Sequence, residues 1–197
     1  MSESRIDIAA LSDEALVARI RAGDQRVFEA WYLAFFESLW RFACRFAPSS
    51  ATAKDAVQDV FVSIWSQHDK FMVQTSVRAY LYGAVRQRAL RYMRHERVVH
   101  QAEVLAEATG ATWGMGMGGG PSQPDEFIEV AERRAAIRQA VRALPERQRE
   151  ALSLWFTHEL GTAEIAIVLG VSDRAVRKLL EKARSRLTHV LRHSETL

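Results

Sequence analysis

Residues 162–181 read TAEIAIVLGVSDRAVRKLLE, and their spacing decides the C-terminal architecture. Ala166 stands where two helices cross closely, a position that needs a small side chain. Gly170 follows four residues later, where a tight turn needs a left-handed backbone that costs other residues a steric penalty. Ile165, Leu169, Val171, Val176 and Leu179 are apolar at the positions that clamp the two helices together, and Ser172 is placed to cap the second helix. These constraints predict a helix-turn-helix. An αα-hairpin that never meets DNA satisfies the same pattern.

If the motif reads DNA, its second helix enters the major groove. The residues expected to face the duplex are Ser172, Asp173, Arg174, Arg177, Lys178 and Lys182. Arg174 and Arg177 are three apart, so they share a face near the helix start, where base edges are met and where arginine can pair bidentately with guanine. Lys178, Lys182, Arg184 and Arg186 suit phosphates or water. Binding through such cations falls steeply with salt.

Upstream of the motif, Pro145 suits the first turn of a helix, and a further helix is expected from about Asp125 to Arg142. Residues 110–124 hold Gly114, Gly116, Gly118, Gly119, Gly120, Pro121 and Pro124. Such a segment cannot bury enough apolar surface to offset its ordering entropy, which predicts a flexible linker over 98–124. The expected division is a domain over 1–97, that linker, and a second domain over 125–197.

The first domain also reads as helical. Ser12, with Asp13 and Glu14 behind it, opens a short helix that Gly23 closes. An aromatic-rich helix follows from Asp24 to Phe46, and Pro48 stops it. Thr52 with Asp55 reads as a capping box for a third helix running to about Gln67. Its Val57, Val60, Phe61, Ile64 and Trp65 recur at helical spacing as a buried stripe, and Asp55, Gln58, Asp59 and Val62 face away. A polar break covers 67–76. The fourth helix runs from Val77 to about Arg97, with Leu81, Ala84, Val85, Ala89 and Met93 facing inward. Arg88, Arg91, Arg94 and His95 gather on another face, with Tyr80, Tyr82 and Tyr92 interleaved. Basic groups beside aromatic rings suit unpaired nucleic acid, and tyrosines at a core boundary give the same pattern. No run alternates with period two, so the fold class is all-α.

The composition fits this reading. The 197 residues are 48% hydrophobic and 26% charged, with net charge +3. The charge is uneven: residues 78–97 hold six arginines against one glutamate, and residues 98–126 hold no Lys or Arg and four acids. Two basic segments flanking an acidic joint suggest two contacts with a polyanion, although solvated helix faces would look alike. No apolar run is long enough to span a membrane, and residues 1–10 lack the pattern of a secretory leader, so a cytoplasmic protein without membrane insertion is expected. Cys44 is the sole cysteine, which excludes an internal disulfide; its apolar neighbours predict a buried thiol. His189 and His193 are four apart on a helix but lack accompanying ligands, so no metal is expected. The Gly114–Gly120 run lacks the lysine of a phosphate loop, and no catalytic set stands out, so neither a cofactor nor an enzymatic activity is expected.

Taken in order, these constellations resemble the sigma-70 family, specifically its short extracytoplasmic-function group. The resemblance rests on Lys54-Asp55-Ala56-Val57-Gln58-Asp59-Val60-Phe61 with Ile64-Trp65, on the segment from Tyr80 to Arg94, and on Leu144-Pro145-Glu146-Arg147-Gln148-Arg149-Glu150 followed by the helix-turn-helix. It implies that Asp55, Gln58, Asp59 and Val62 dock on bacterial core RNA polymerase. It implies that Gln87, Arg88, Arg91, Tyr92, Arg94 and His95 meet the minus-ten element of promoter DNA, that residues 67–76 capture a flipped base, and that the C-terminal helix reads the minus-thirty-five element. It also implies restraint by an anti-sigma partner. Gln87, Arg91, Ala175 and Gly161 depart from common family choices, which bears on base preference more than on fold.

A linker of about 27 residues has a mean span on the order of 30 Å and a full reach of about 90 Å. Two elements about two helical turns apart are separated by roughly 70 Å. The tether can bridge that distance but cannot fix it, so weak, poorly specific promoter binding is expected of the chain alone. The rival readings are a dimeric helix-turn-helix regulator and a helical interaction protein without DNA.

Overall fold

The computed structural model describes residues 6–104 and 136–194. It is all-helical over these residues. Helices α1 (Asp13–Arg21), α2 (Gln25–Ala43), α3 (Ser50–Ser66) and α4 (Val77–Val104) make the N-terminal half. The C-terminal half has α5 (136–142), α6 (Glu146–Phe156), α7 (Thr162–Leu169) and α8 (Asp173–Ser194). Residues 105–135 hold most of the expected linker and the start of the expected helix at 125, and these lie outside the described residues. α4 extends seven residues past the expected end at Arg97, so 98–104 are helical rather than linker.

Local chemistry sets the helix ends. Ser12 Oγ accepts the Ala15 N–H at 3.2 Å, and Gly23 turns the chain at φ +76°. Asp24 Oδ1 accepts from Val27 N at 3.1 Å to open α2, while its other oxygen takes the Arg19 guanidinium at 2.7 Å. α2 ends at Ala43, three residues before the expected Phe46, and a turn leads to Pro48. The cap of α3 is Ser49, whose Oγ accepts from Thr52 N at 3.1 Å, rather than Thr52 itself. Ser49 lies directly after the proline, in the extended conformation that a cap requires, so it takes the role one turn earlier.

The N-terminal core is aromatic. Trp31 is fully buried, with Phe28, Phe61 and Phe71 around it at ring separations of 5.1–5.9 Å. Val57, Val60, Phe61 and Ile64 are buried as expected, and Trp65 is half-buried, packed on Phe28 at 4.7 Å and stacked on His68 at 5.1 Å. Each large side chain so buried contributes about 1.5–3 kcal/mol. The expected polar break is partly apolar inside: Phe71 is buried, and a 3-10 turn spans His68–Lys70. Cys44 is exposed at the end of α2, contrary to the expectation. Phe42, Ala43 and Phe46 take the inward positions around it.

The C-terminal half packs Leu154, Leu160, Ile165, Val168, Leu169 and Val176 together. Its core is continuous with that of the N-terminal half, because α7 lies directly on α4. A Cβ placed on Gly83 would sit 3.9 Å from the Val168 Cα. The two helical halves therefore pack against each other at this contact. Among the described residues, no helix is long and apolar enough to cross a membrane.

Candidate nucleic-acid interface

The helix-turn-helix forms as its spacing dictates. Gly170 adopts φ +65°, ψ +40°, the left-handed turn that separates α7 from α8. Ile165, Leu169 and Val176 are buried, and Val171 and Leu179 pack against them. Ser172 Oγ accepts from Ala175 N at 3.2 Å, capping α8. Arg174, Arg177, Lys178 and Lys182 are exposed, as is Ser172, so a cationic face opens at the start of α8. Asp173 pairs with Arg177 at 2.8 Å. Both groups are solvent-accessible, so this pair is worth at most about 1 kcal/mol and leaves Arg177 able to exchange partners. Arg186 lies further along and reaches Gln148 Oε1 at 3.3 Å.

The sequence offered no side-chain cap for α7, since Gly161 has none. The structure supplies one in Glu164, whose Oε2 accepts from Gly161 N at 2.8 Å. A glutamate three residues after the cap position is the signal that could have shown this. Its other oxygen accepts the Ser76 hydroxyl across the boundary between the halves.

On α3, Asp55, Gln58 and Val62 are exposed, and Val62 retains 66% of its accessible surface. Asp59 shares that face but is not free: it accepts the Tyr92 hydroxyl and lies 3.8 Å from Arg88. The hydrogen bond to Asp59 raises the Tyr92 pKa, because the phenolate would face a carboxylate. The structure thus joins Asp59 of the α3 set to Tyr92 and Arg88 of the α4 set. Gln87, Arg91, Arg94 and His95 are exposed on α4.

The interleaved tyrosines do not behave alike. Tyr82 is buried and bonds His158 Nδ1 at 2.8 Å, so it belongs to the junction of the halves rather than to an exposed basic-aromatic surface. The residue it meets is 76 positions away, which explains why local spacing gave no sign of it. Tyr80 is partly exposed, with its ring 5.4 Å from Phe71. Nearby, Arg78 donates to the His158 carbonyl, and Arg86 forms an ion pair with Glu150. Burial, reinforced by the Arg45 and Arg78 charges, lowers the His158 pKa to about 4, so the imidazole is neutral at neutral pH. Trp155 and Phe156 are exposed at the end of α6, an aromatic pair that periodicity alone did not single out.

Among the described residues, no group of His, Cys, Asp and Glu is arranged to hold a metal ion. The open cationic faces suit a polyanion, and the exposed α3 face suits a protein.

Residues 31–98 match the family described as Sigma-70 region 2, and residues 134–187 match Sigma-70, region 4. The chain is 27% identical over 170 residues to the probable RNA polymerase sigma factor RfaY of Xanthomonas campestris pv. campestris, covering 86% of this chain but 42% of that protein. It is 27% identical over 192 residues to the RNA polymerase sigma factor NccH of Alcaligenes xylosoxydans xylosoxydans, covering 93% and 96% of the two chains. Against the ECF RNA polymerase sigma-E factor of Escherichia coli K12 it is 26% identical over 181 residues, covering 88% and 91%. A solved structure of the sigma factor RpoE with the anti-sigma factor NepR from Bartonella quintana has the same fold, with a TM-score of 0.61 and 22% identity over 84% of this chain and 96% of that one.

Proposed function

The chain belongs to the sigma-70 family, in its extracytoplasmic-function group, and we propose on that premise that it binds bacterial core RNA polymerase and directs it to promoters. It contributes recognition and no bond chemistry of its own; the polymerase supplies the catalysis.

The assignment of parts follows the order of the matches. Residues 1–97 would act as the region 2 domain, 98–124 as the connection, and 125–197 as the region 4 domain. The exposed face of Asp55, Gln58 and Val62, with Asp59 beside it, would dock on the polymerase. Gln87, Arg88, Arg91, Tyr92, Arg94 and His95 would meet the minus-ten element, and Ser172, Asp173, Arg174, Arg177, Lys178 and Lys182 the minus-thirty-five element. An anti-sigma factor is a further expected partner, since the RpoE structure of the same fold is a complex with such a protein. Action on polymerase places the chain in the cytoplasm.

The observation that carries this reading is the presence, in one chain and in this order, of residues 31–98 and 134–187 matching the two regions. A dimeric regulator would use the helix-turn-helix and leave the α3 face without a purpose. The deciding experiment is transcription in vitro with purified core polymerase on genomic DNA, followed by mapping of RNA starts. Promoter-specific starts that depend on this chain are expected. A chain that neither binds core polymerase nor alters its start sites would overturn the reading.

A further inference from the structure

Helix α1 grips both ends of the loop that leads into α4. At the start of the loop, Arg21 Nε donates to the Asp69 carbonyl at 3.2 Å. At its end, the Val77 N–H donates to Asp13 Oδ2 at 2.9 Å. Val77 is the first residue of α4, and the N–H groups of a first helical turn have no partner within their own helix. Asp13 supplies one from another helix, while the Ser76 hydroxyl accepts from Ala79 N at 3.0 Å. Beside the first grip, α1 packs on the 3-10 turn His68–Lys70. His68 in that turn donates from Nδ1 to the Trp65 carbonyl at 2.9 Å and stacks on the Trp65 ring.

The two grips set the shape of what lies between them. Asp13 and Arg21 are the two ends of α1, about 12 Å apart along its axis. Asp69 and Val77 are separated by the same number of residues, but extended chain of that length reaches about 28 Å. The loop therefore has slack and bows away from α1. Phe71 turns inward and is buried, its ring 5.9 Å from Trp31 and 5.4 Å from Tyr80. Met72, the next residue, turns outward and retains 70% of its accessible surface, and Gln74 and Thr75 are exposed with it. A long apolar side chain, an amide and a hydroxyl on one loop suit an unpaired base, which offers a ring face for contact and edges for hydrogen bonds. A loop free to sample many shapes would have to be ordered on DNA, at a cost in binding free energy.

We propose that α1 is a clamp for this loop, with Arg21 and Asp13 as positioning residues that hold Met72, Gln74 and Thr75 in the shape that selects a base of the minus-ten element. The inference rests on the function proposed above and deepens its minus-ten contact. It gives a part in base selection to two side chains outside the expected DNA-facing and polymerase-facing sets. Both also lie outside residues 31–98, the stretch that matches region 2. Their action is on preorganisation: each grip removes freedom from the loop before DNA arrives, so less has to be ordered when the base is bound. A merely structural role for the same contacts would weaken every promoter alike. A positioning role changes the preference among bases.

The test uses the full chain with core polymerase, on promoters mapped by the transcription experiment above and on versions substituted at each minus-ten position in turn. Arg21→Met keeps the apolar stem of the side chain and removes its donors. Asp13→Ala removes the acceptor, whereas Asp13→Asn loses the charge but keeps an acceptor oxygen. With core polymerase saturated, Arg21→Met and Asp13→Ala are expected to lower the cognate-to-substituted initiation ratio at one minus-ten position by about three- to tenfold, the worth of one hydrogen bond, with helicity and core affinity unchanged. Asp13→Asn should stay within about twofold of the unaltered chain. Unchanged ratios in the first two variants, or losses equal on every promoter, would overturn the clamp. So would an Asp13→Asn chain no more selective than Asp13→Ala, or an unaltered chain that initiates without preference at any minus-ten base. If Asp13→Ala fails to fold, Arg21→Met decides alone, since Arg21 is exposed and its replacement leaves the core intact. Failure of the unaltered chain to bind core polymerase at all would instead reject the function itself.

Discussion

Asp59 and Tyr92, on neighbouring helices and 33 residues apart, share a side-chain hydrogen bond, with Arg88 3.8 Å from the same carboxylate. One residue comes from the face proposed to dock on polymerase, and the other two come from the face proposed to meet DNA. Reversing the charge should therefore act on docking first. Asp59→Arg is expected to weaken core-polymerase binding by tenfold or more while helicity stays unchanged. Competition against a labelled sigma factor checks it, and undiminished affinity would remove Asp59 from the docking surface.

Arg177 is the residue of α8 proposed to read a base. Its bridge to Asp173 is exposed and weak, so it does not withhold the guanidinium from DNA. Arg177→Ala should cost about 1–3 kcal/mol on a cognate promoter, which corresponds to roughly five- to 150-fold in transcription at limiting holoenzyme. The comparison is with promoters altered in the minus-thirty-five element. A loss of the same size on every promoter would make Arg177 a phosphate contact.

His158 gives the packing of the halves a pH dependence of known sign. Its pKa is about 4 in the packed state and near the ordinary 6.5 when the halves are separated or unfolded. The groups facing it are Tyr82, which bonds it, and the cationic Arg45 and Arg78. Between pH 6.5 and 4 the separated state takes up a proton that the packed state refuses. The packed arrangement is fully favoured above that window and loses stability as pH falls through it. Urea midpoints at pH 7 and pH 5 should differ more for the native chain than for His158→Asn, and equal differences would show that the imidazole contributes nothing.

Ser49, rather than Thr52, holds the start of α3. Ser49→Ala should destabilise the chain by about 1 kcal/mol, the usual cost of losing a side-chain cap. Thr52→Ala removes a hydroxyl bonded only to Ser49 at 2.8 Å and should cost less. Thermal or urea unfolding of the two variants tests the order.

The reading from residues alone succeeded where the determinants are local. Gly170, Ser172 and the five clamping apolar residues specify a turn through steric and capping rules that act within a few positions, and each stands as expected. The buried stripe of α3 follows from helical period in the same way. The misreadings have separate causes. Spacing left Tyr82 open between a basic-aromatic surface and a core boundary, because its partner, His158, arrives only when the halves meet. The extension of α4 to Val104 exceeded the boundary drawn where the charge pattern changed. Cys44 was placed inside by the company it keeps in sequence, although a helix turns successive residues by about 100° and can bury every neighbour but one. At the candidate site, the exposed cations of α8 and α4 were legible from spacing. The bond from Asp59 to Tyr92 was not, because it depends on how α3 and α4 pack.

The exposure of Cys44 has a practical side. Left in air without reductant, two copies can couple through that sulfur into a species of twice the mass. On a sizing column such a pair would mimic the symmetric regulator that the sequence left open as a rival. Sizing of this chain is therefore informative only with a thiol in the buffer, or with serine in that position.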